Sequence, residues 1–422
     1  MKIKVITPEL KMGMYVSELD RPWVESPFLF QGFQISSPEE IEQLQSICKY
    51  VYVDTEKSPV DVATHLHPNN KTSSATASKK KRGRWRSLSD ALFKHSDDKQ
   101  KVKFNVELAK ARKIRDKTRS FIDTALEDSR LGNSIDTKSA KDLVSSLAES
   151  ILRNPDASVW LTHLKARDEY TAIHSLNVCV LSLTFGRALG LSKTQLNVLG
   201  LGALLHDLGK MRVPLEVLNK PGRLTDEEFK IMRSHPELGY ELLLNDKSIP
   251  PDALDIVISH HERSNGKGYP RGIDGSEIRY FTRIVTIVDV YDAITSDRVY
   301  HDGMTPHDAL KRMYDWSDEN FDLELMQAFI RTIGIYPVGS VVEFVSGHVG
   351  IVVKLNETHK LKPLILLLMN SRKEMYPKRK LVNLASTSWD KIGAAPQIKR
   401  IADAKEYGVD VKAIINAESN FD

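Results

Sequence analysis

The sequence predicts a mainly α protein: an all-helical domain, preceded by a small α+β module and followed by a small β subdomain. Three observations carry this. Residues 1–60 alternate apolar and polar over short runs, helix-start signals recur between Trp160 and Ile335, and the chain beyond Tyr336-Pro337-Val338-Gly339 turns β-branched and alternating.

In the N-terminal module, Ile3 with Val5 and the run Tyr50-Val51-Tyr52-Val53 read as strands, and Ser37-Pro38-Glu39-Glu40 opens a helix with a serine cap and a proline in its first turn. The module is assigned residues 1–63. Residues 64–103 are polar, Ser/Thr-rich and then strongly basic, without apolar period, and read as a linker. Within it, Lys79–Arg86 (KKKRGRWR) holds six basic residues around one tryptophan. That composition attracts phosphates or an anionic surface, although a solvated tether is the plainer reading. Residues 104–159 return to helical periodicity with many charges and are expected to form connecting helices, a hairpin among them.

Residues 160–335 form the predicted helical domain. Ser192-Lys193-Thr194-Gln195 and Thr225-Asp226-Glu227-Glu228 match capping boxes, and Pro236 suits a first helical turn after His235. Residues 336–422 are expected to form the β subdomain, with strands over Ser340–Val345 and Gly350–Val353, a turn at Ser346-Gly347 and a polar tail.

At 422 residues the chain exceeds one ordinary core. Its 60 basic residues nearly balance 56 acidic ones, so the overall charge argues for no stable DNA or RNA partner. Cys48 and Cys179 fit no disulfide or metal spacing. No stretch approaches the roughly 18 apolar residues of a spanning helix, and the N-terminus lacks a signal-peptide core, so a cytoplasmic location is expected.

The chemistry lies in histidines and aspartates. His206-Asp207 ends the apolar run Val198–Leu205, and Asp289 interrupts Arg283–Tyr291, whose apolar residues surround the helix on nearly every side. Burying such groups costs several kcal/mol unless something pairs with them. With His174, His235, His260 and His261 on separate segments, convergence on a cation is the economical explanation. Imidazole and carboxylate ligands without thiolate suit iron, manganese, zinc or nickel. The set exceeds one tetrahedral ion and fits two ions about 3.5–4 Å apart sharing an aspartate, the arrangement that clamps an in-line phosphoryl displacement. Phosphoester hydrolysis by a water that loses its proton between the ions is the leading chemistry. Lys210 would reach a non-bridging phosphate oxygen, or simply complement a helix C-terminus. His163, His301, His307, His348 and His359, and His65, His67 and His95, are expected to be ordinary core or surface residues.

His206-Asp207 with Gly209-Lys210, His260-His261-Glu262-Arg263 and Gly268-Tyr269-Pro270 resemble the HD-GYP family, a branch of the HD phosphohydrolases. Asp168-Glu169-Tyr170-Thr171 with His174-Ser175, Lys220-Pro221-Gly222, His235-Pro236 with Gly239, and Asp289-Val290-Tyr291-Asp292 with Ser296-Asp297-Arg298 and Tyr300 extend the resemblance over about 160–335. It implies an all-helical HD-type hydrolase domain that opens cyclic dinucleotides, chiefly cyclic di-GMP, to the linear form and in some members to mononucleotide. It implies that His174, His206, Asp207 and Asp289 hold one divalent ion and Asp207, His235, His260 and His261 the other, with iron or manganese expected. Gly268, Tyr269 and Pro270 would line the substrate groove, Tyr269 stacking on a guanine, contacting a phosphate or packing the core; Arg283 and Arg298 would meet phosphate, fix loops or make ordinary surface pairs.

Two departures stand out. Members with a third metal carry a Glu where this chain has Tyr170, so two ions are expected. Asn265 replaces the usual Asp before Gly266, keeping the turn propensity but losing the charge. The first sixty residues resemble the uncharacterised domain that often precedes HD-GYP domains, for which a regulatory or dimerising role is expected. The rival functions are a non-catalytic HD-GYP receptor, a phosphodiesterase specific for cyclic GMP-AMP, and a single-metal nucleotide hydrolase, which the surplus His235, His260 and His261 disfavour.

Overall fold

The computed structural model describes residues 2–20, 32–35, 37–58, 102–162, 170–296, 303–356, 361–385, 397–411 and 413–414. The basic run at 79–86, His65, His67, His95, His163, His301, His359, Arg298 and Tyr300 lie outside the described residues.

The chain divides into two units. In the N-terminal one, strands β1 (Lys2–Ile6), β2 (Tyr15–Leu19), β3 (Phe33–Gln34) and β4 (Tyr50–Asp54) form an antiparallel sheet of order β1-β4-β2-β3. Alternation sorts the faces: Val51 and Val53 are buried, while Tyr50 and Tyr52 meet edge to face on the half-exposed side. Helix α1 (Pro38–Ile47) covers the apolar face through Leu44, and its start is a complete Ser37–Glu40 capping box with Pro38 in the first turn.

The larger unit is helical up to Ile333. Its first helices are α2 (Phe104–Leu131), α3 (Thr137–Arg153), α4 (Pro155–Thr162), α5 (Tyr170–Ala188) and α6 (Lys193–Leu205). A 3-10 turn (Leu208–Arg212) and the short helices α7 (Leu215–Leu218), α8 (Asp226–Met232), α9 (His235–Leu243) and α10 (Pro251–Ser259) follow. Helix α11 (Tyr280–Thr295) then precedes α12 (Pro306–Asp315), α13 (Ser317–Asn320) and α14 (Leu323–Ile333). Both capping boxes form, at Ser192–Gln195 and Thr225–Glu228. The helices with apolar residues all round, α5, α6 and α11, are the buried ones.

Glycines set how closely these helices approach. A Cβ on Gly200 would stand 2.7 Å from Val144 Cγ1 of α3, and one on Gly202 2.5 Å from Ile256 Cδ1 of α10. Helices α2 and α3 pack into the same helical core. Their charged surface encloses a buried ion pair in which Arg153 grips Glu107 through two hydrogen bonds of 2.8 Å.

At the C-terminal end, β5 (Val341–Phe344), β6 (Val349–Lys354), β7 (Leu364–Met369), β8 (Met375–Asn383) and β9 (Ile398–Ala402) form an antiparallel sheet of order β8-β7-β6-β5-β9. The expected strands are present, and the sheet packs on the helices before it. Ile351, Leu366 and Leu368 share one core with Phe104 and Leu108 of α2 and Trp160 and Leu161 of α4. Among the described residues no helix is long and apolar enough to cross a membrane.

Candidate metal centre

Each functional side chain is delivered by an element end or a buried helix. His206 caps α6, Asp207 begins the 3-10 turn, His235 opens α9, His260 and His261 follow α10, and His174 and Asp289 project from the interiors of α5 and α11. Thr286 of α11 donates a 2.9 Å hydrogen bond to the His260 carbonyl and so ties α11 to the end of α10. At the other junction, a Cβ on Gly209 would lie 1.9 Å from the His235 carbonyl oxygen and 2.4 Å from the Gly239 nitrogen. Only glycine lets the Asp207 turn lie directly on α9.

These elements bring every expected ligand together. His174, His206 and Asp207 form one group of mutually close ligand atoms, and Asp207, His235, His260 and His261 form a second. Asp207 belongs to both. Its Oδ2 lies 3.3 Å from His206 Nε2 and 3.6 Å from His174 Nε2, and its Oδ1 lies 3.4 Å from His235 Nε2 and 3.8 Å from His260 Nε2. Asp289 also faces both groups, with Oδ1 3.0 Å from His174 Nε2 and Oδ2 3.7 Å from His261 Nδ1.

The imidazoles are held from behind. Nδ1 of His206 meets the Ala203 carbonyl at 2.8 Å, that of His235 the Met232 carbonyl at 2.9 Å, and that of His260 the Val257 carbonyl at 2.9 Å. His174 Nδ1 meets Asp292 Oδ2 at 2.8 Å, and Asn177 holds the other Asp292 oxygen at 3.1 Å. A carbonyl or carboxylate at Nδ1 places the ring proton there and leaves the Nε2 lone pair for a cation.

The charge balance points the same way. Burial would raise the carboxyls of Asp207 and Asp289, yet His206 and Lys210 beside the first, and His174 and His261 beside the second, hold both well below the usual carboxylate range. Burial pushes His260 down to about 3, helped by His206 and His235, and drives His261 far down as well. His174 differs: burial lowers it, but its bonds to Asp289 and Asp292 prevail and lift it to about 9. Ionised buried carboxylates thus face neutral imidazoles at His260 and His261. His206 Nε2 and Asp207 Oδ1 are fully buried and have no hydrogen-bond partner among the described residues. Orphaned donor atoms converging from two sides of one carboxylate are what divalent ions require.

The remaining predicted residues divide. Lys210 Nζ lies 2.6 Å from Asp207 Oδ2. Tyr269 stacks on His261, with centroids 4.6 Å apart at 27°, and its peptide bond to Pro270 is cis. Gly266 does adopt a positive φ of 69°. Gly268 is needed for space instead, since a Cβ there would meet the Glu262 Cα at 2.4 Å. Asn265 keeps the turn, its Oδ1 accepting from the Lys267 N–H at 3.0 Å. Arg283 makes the contacts of the loop-fixing alternative. Its guanidinium donates to the Ile278 and Gly275 carbonyls at 2.8 Å and to Asp322 at 3.1 Å, so it fixes the loop before α11. His307 and His348 are ordinary, engaging the Ile335 carbonyl and Ser346.

Sequence reasoning gave no role to Asp292 or Arg233. Asp292 follows Asp289 by one helical turn on a buried helix, a spacing that was a readable signal. Nothing local marks Arg233, whose guanidinium carbon lies 4.6 Å from the Tyr269 ring centroid.

Comparison with known proteins gives an HD domain over residues 155–325 and a domain of unknown function (DUF3391) over 2–140. The chain is 34% identical over 383 residues to a protein of Pseudomonas aeruginosa named a cyclic di-GMP phosphodiesterase, covering 90% of this chain and 88% of that one. It is 41% identical to the cyclic di-GMP phosphodiesterase response regulator RpfG of Xanthomonas campestris, over 34% of this chain and 38% of that one. A 3'3'-cGAMP-specific phosphodiesterase of Vibrio cholerae is 35% identical over 41% of this chain and 37% of its own.

Proposed function

Because the chain belongs to the HD-GYP family of bacterial cyclic-dinucleotide phosphodiesterases, we propose that its histidine and aspartate centre holds two divalent transition-metal ions, iron or manganese, and hydrolyses cyclic di-GMP to the linear dinucleotide. The single observation that carries the reading is Asp207, which presents one oxygen to each of two ligand groups while Oδ1 has no hydrogen-bond partner. His174, His206 and Asp289 would complete one site and His235, His260 and His261 the other. When bound, the ions supply Lewis-acid stabilisation of the phosphoryl oxygens and an acidified water.

The chain's own residues supply the rest. The backbone carbonyls behind His206, His235 and His260, and Asp292 behind His174, fix ring orientation before substrate arrives. Lys210, one salt bridge from the Asp207 carboxylate, would meet a non-bridging oxygen of the phosphodiester. Tyr269 closes the His261 side and limits water there. The choice of cyclic di-GMP over cyclic GMP-AMP is supported by the relative that matches across most of both chains.

The test is hydrolysis of both dinucleotides by metal-reconstituted protein, with Asp207→Ala beside it. The expected result is linear dinucleotide from cyclic di-GMP, and a loss of at least about a thousandfold in the variant, roughly 4 kcal/mol of barrier. Equal turnover by the variant would exclude this centre.

A further inference from the structure

Two half-buried arginines near the Tyr269 ring have no part in the chemistry above. Arg233 ends α8, and its guanidinium carbon lies 4.6 Å from the Tyr269 centroid and 5.8 Å from that of Phe229. Arg263 follows the His260-His261-Glu262 run, with its guanidinium carbon 5.6 Å from the Phe321 centroid. Neither side chain makes an ion pair or hydrogen bond among the described residues. The other arginines close to the centre differ: Arg271 reaches Ser259 and Asp255, Arg279 reaches Asp252, and Arg283 reaches Asp322.

A guanidinium lying over an aromatic ring engages that ring through its face and keeps its in-plane N–H donors free. Those donors form a rigid fork that matches two phosphate oxygens. The position is also right. Tyr269 stacks on His261 of the centre at 4.6 Å, Arg233 lies over that same ring, and Arg263 follows His261 by two residues.

On the reading that this centre cleaves a cyclic dinucleotide, we infer that Arg233 and Arg263 form a second anion site, which binds the phosphodiester not being hydrolysed while the first lies at the Asp207 centre. A cyclic dinucleotide carries two phosphates on opposite sides of one ring, and a site that grips only one leaves the ring free to pivot. Tyr269, packed on His261 and beneath Arg233, is the spacer that sets the separation between the two anion sites. The role is selective binding of substrate and transition state alike, so it belongs in KM rather than kcat.

The experiment compares two substrates on the same metal-loaded protein: cyclic di-GMP, with two phosphodiesters, and bis(p-nitrophenyl) phosphate, with one. For Arg233→Gln the expected result is a KM for cyclic di-GMP raised at least about tenfold, with kcat within about threefold and a change of less than about threefold in kcat/KM on the single diester. Arg233→Lys should recover part of the loss, since it restores charge without the fork. Equal losses on the two substrates would mean that Arg233 only props Tyr269, and would overturn the proposal, as would an unchanged KM for cyclic di-GMP. Wild-type protein inactive on both substrates would count against the phosphodiesterase reading instead. The anion site would then be decided by calorimetric binding of cyclic di-GMP, with equal affinity of wild type and Arg233→Gln as the overturning result.

Discussion

Two regions of this molecule gather charge, and they do it in opposite ways. In the C-terminal sheet Glu343 is nearly buried on β5, and each of its oxygens is met: Lys373 donates to Oε1 at 2.8 Å, and Arg400 to Oε2 at 2.8 Å, with Lys399 3.7 Å from Oε2. Arg400 in turn engages Glu406 and Tyr407. The network is closed. The centre around Asp207 is more deeply buried yet open, with His206 Nε2 and Asp207 Oδ1 lacking hydrogen bonds and several imidazoles aimed at the same two carboxylates. Satisfied charges stabilise a fold, whereas unsatisfied ones held in place from behind are preorganised for something that arrives later.

If that contrast is right, the strongest way to break the open region leaves its ligands untouched. Gly209→Ala would set a methyl group against the His235 carbonyl and the Gly239 nitrogen, so the turn bearing Asp207 and Lys210 must move off α9. The expected outcome is a fall in turnover of more than about a hundredfold, since about 1 Å of misplacement suffices for that. Elemental analysis should show metal lost along with it. Unimpaired metal content and rate in this variant would mean that the approach of the turn to α9 does not set the geometry.

Asp292→Asn sharpens the comparison from the other side. Asp292 resembles Glu343 in being a buried carboxylate with good partners, but its partner is the Nδ1 of His174, a proposed ligand. Changing a group that orients a ligand typically costs about 10–100-fold in metal affinity. A titration with manganese should show that drop with little change in melting temperature. Lower stability with unchanged affinity would instead place Asp292 in the same class as Glu343.

How much of this contrast the sequence displayed follows from the range of the forces. His206-Asp207 behind an oily run and Asp289 in a helix without a polar side are local patterns, and they marked the buried charges before any coordinates did. The capping boxes at Ser192 and Thr225 are equally local and form as their spacing implies. What escaped notice was set by partners far along the chain. The clash that excludes a side chain at Gly209 comes from α9, and Arg283 could not be assigned to its loop until the Gly275 and Ile278 carbonyls were in place. Helix α2 carries many charges along its length, and only its packing shows that Leu108, Ala111, Ile122 and Ala125 are buried.

The smallest effect is expected at the closed network, and it is a pH effect with a definite sign. The hydrogen bond from Lys373 is the main influence on Glu343 and, with Arg400 and against the opposing effect of burial, brings its carboxyl down to about 2 from an ordinary value near 4.5. A group whose folded pKa is depressed stabilises the fold above its unfolded pKa, and that contribution is lost as pH falls through the folded value. Glu343→Gln should therefore lower stability at neutral pH by about 1 to 2 kcal/mol, the partly exposed lysine and arginine keeping the figure modest. The gap between variant and wild type in denaturant melts should close as pH drops from about 4.5 towards 2. Turnover at neutral pH should be unchanged, because no oxygen of this carboxylate is left for a ligand. A pH-independent gap would show that the network stabilises through packing rather than charge.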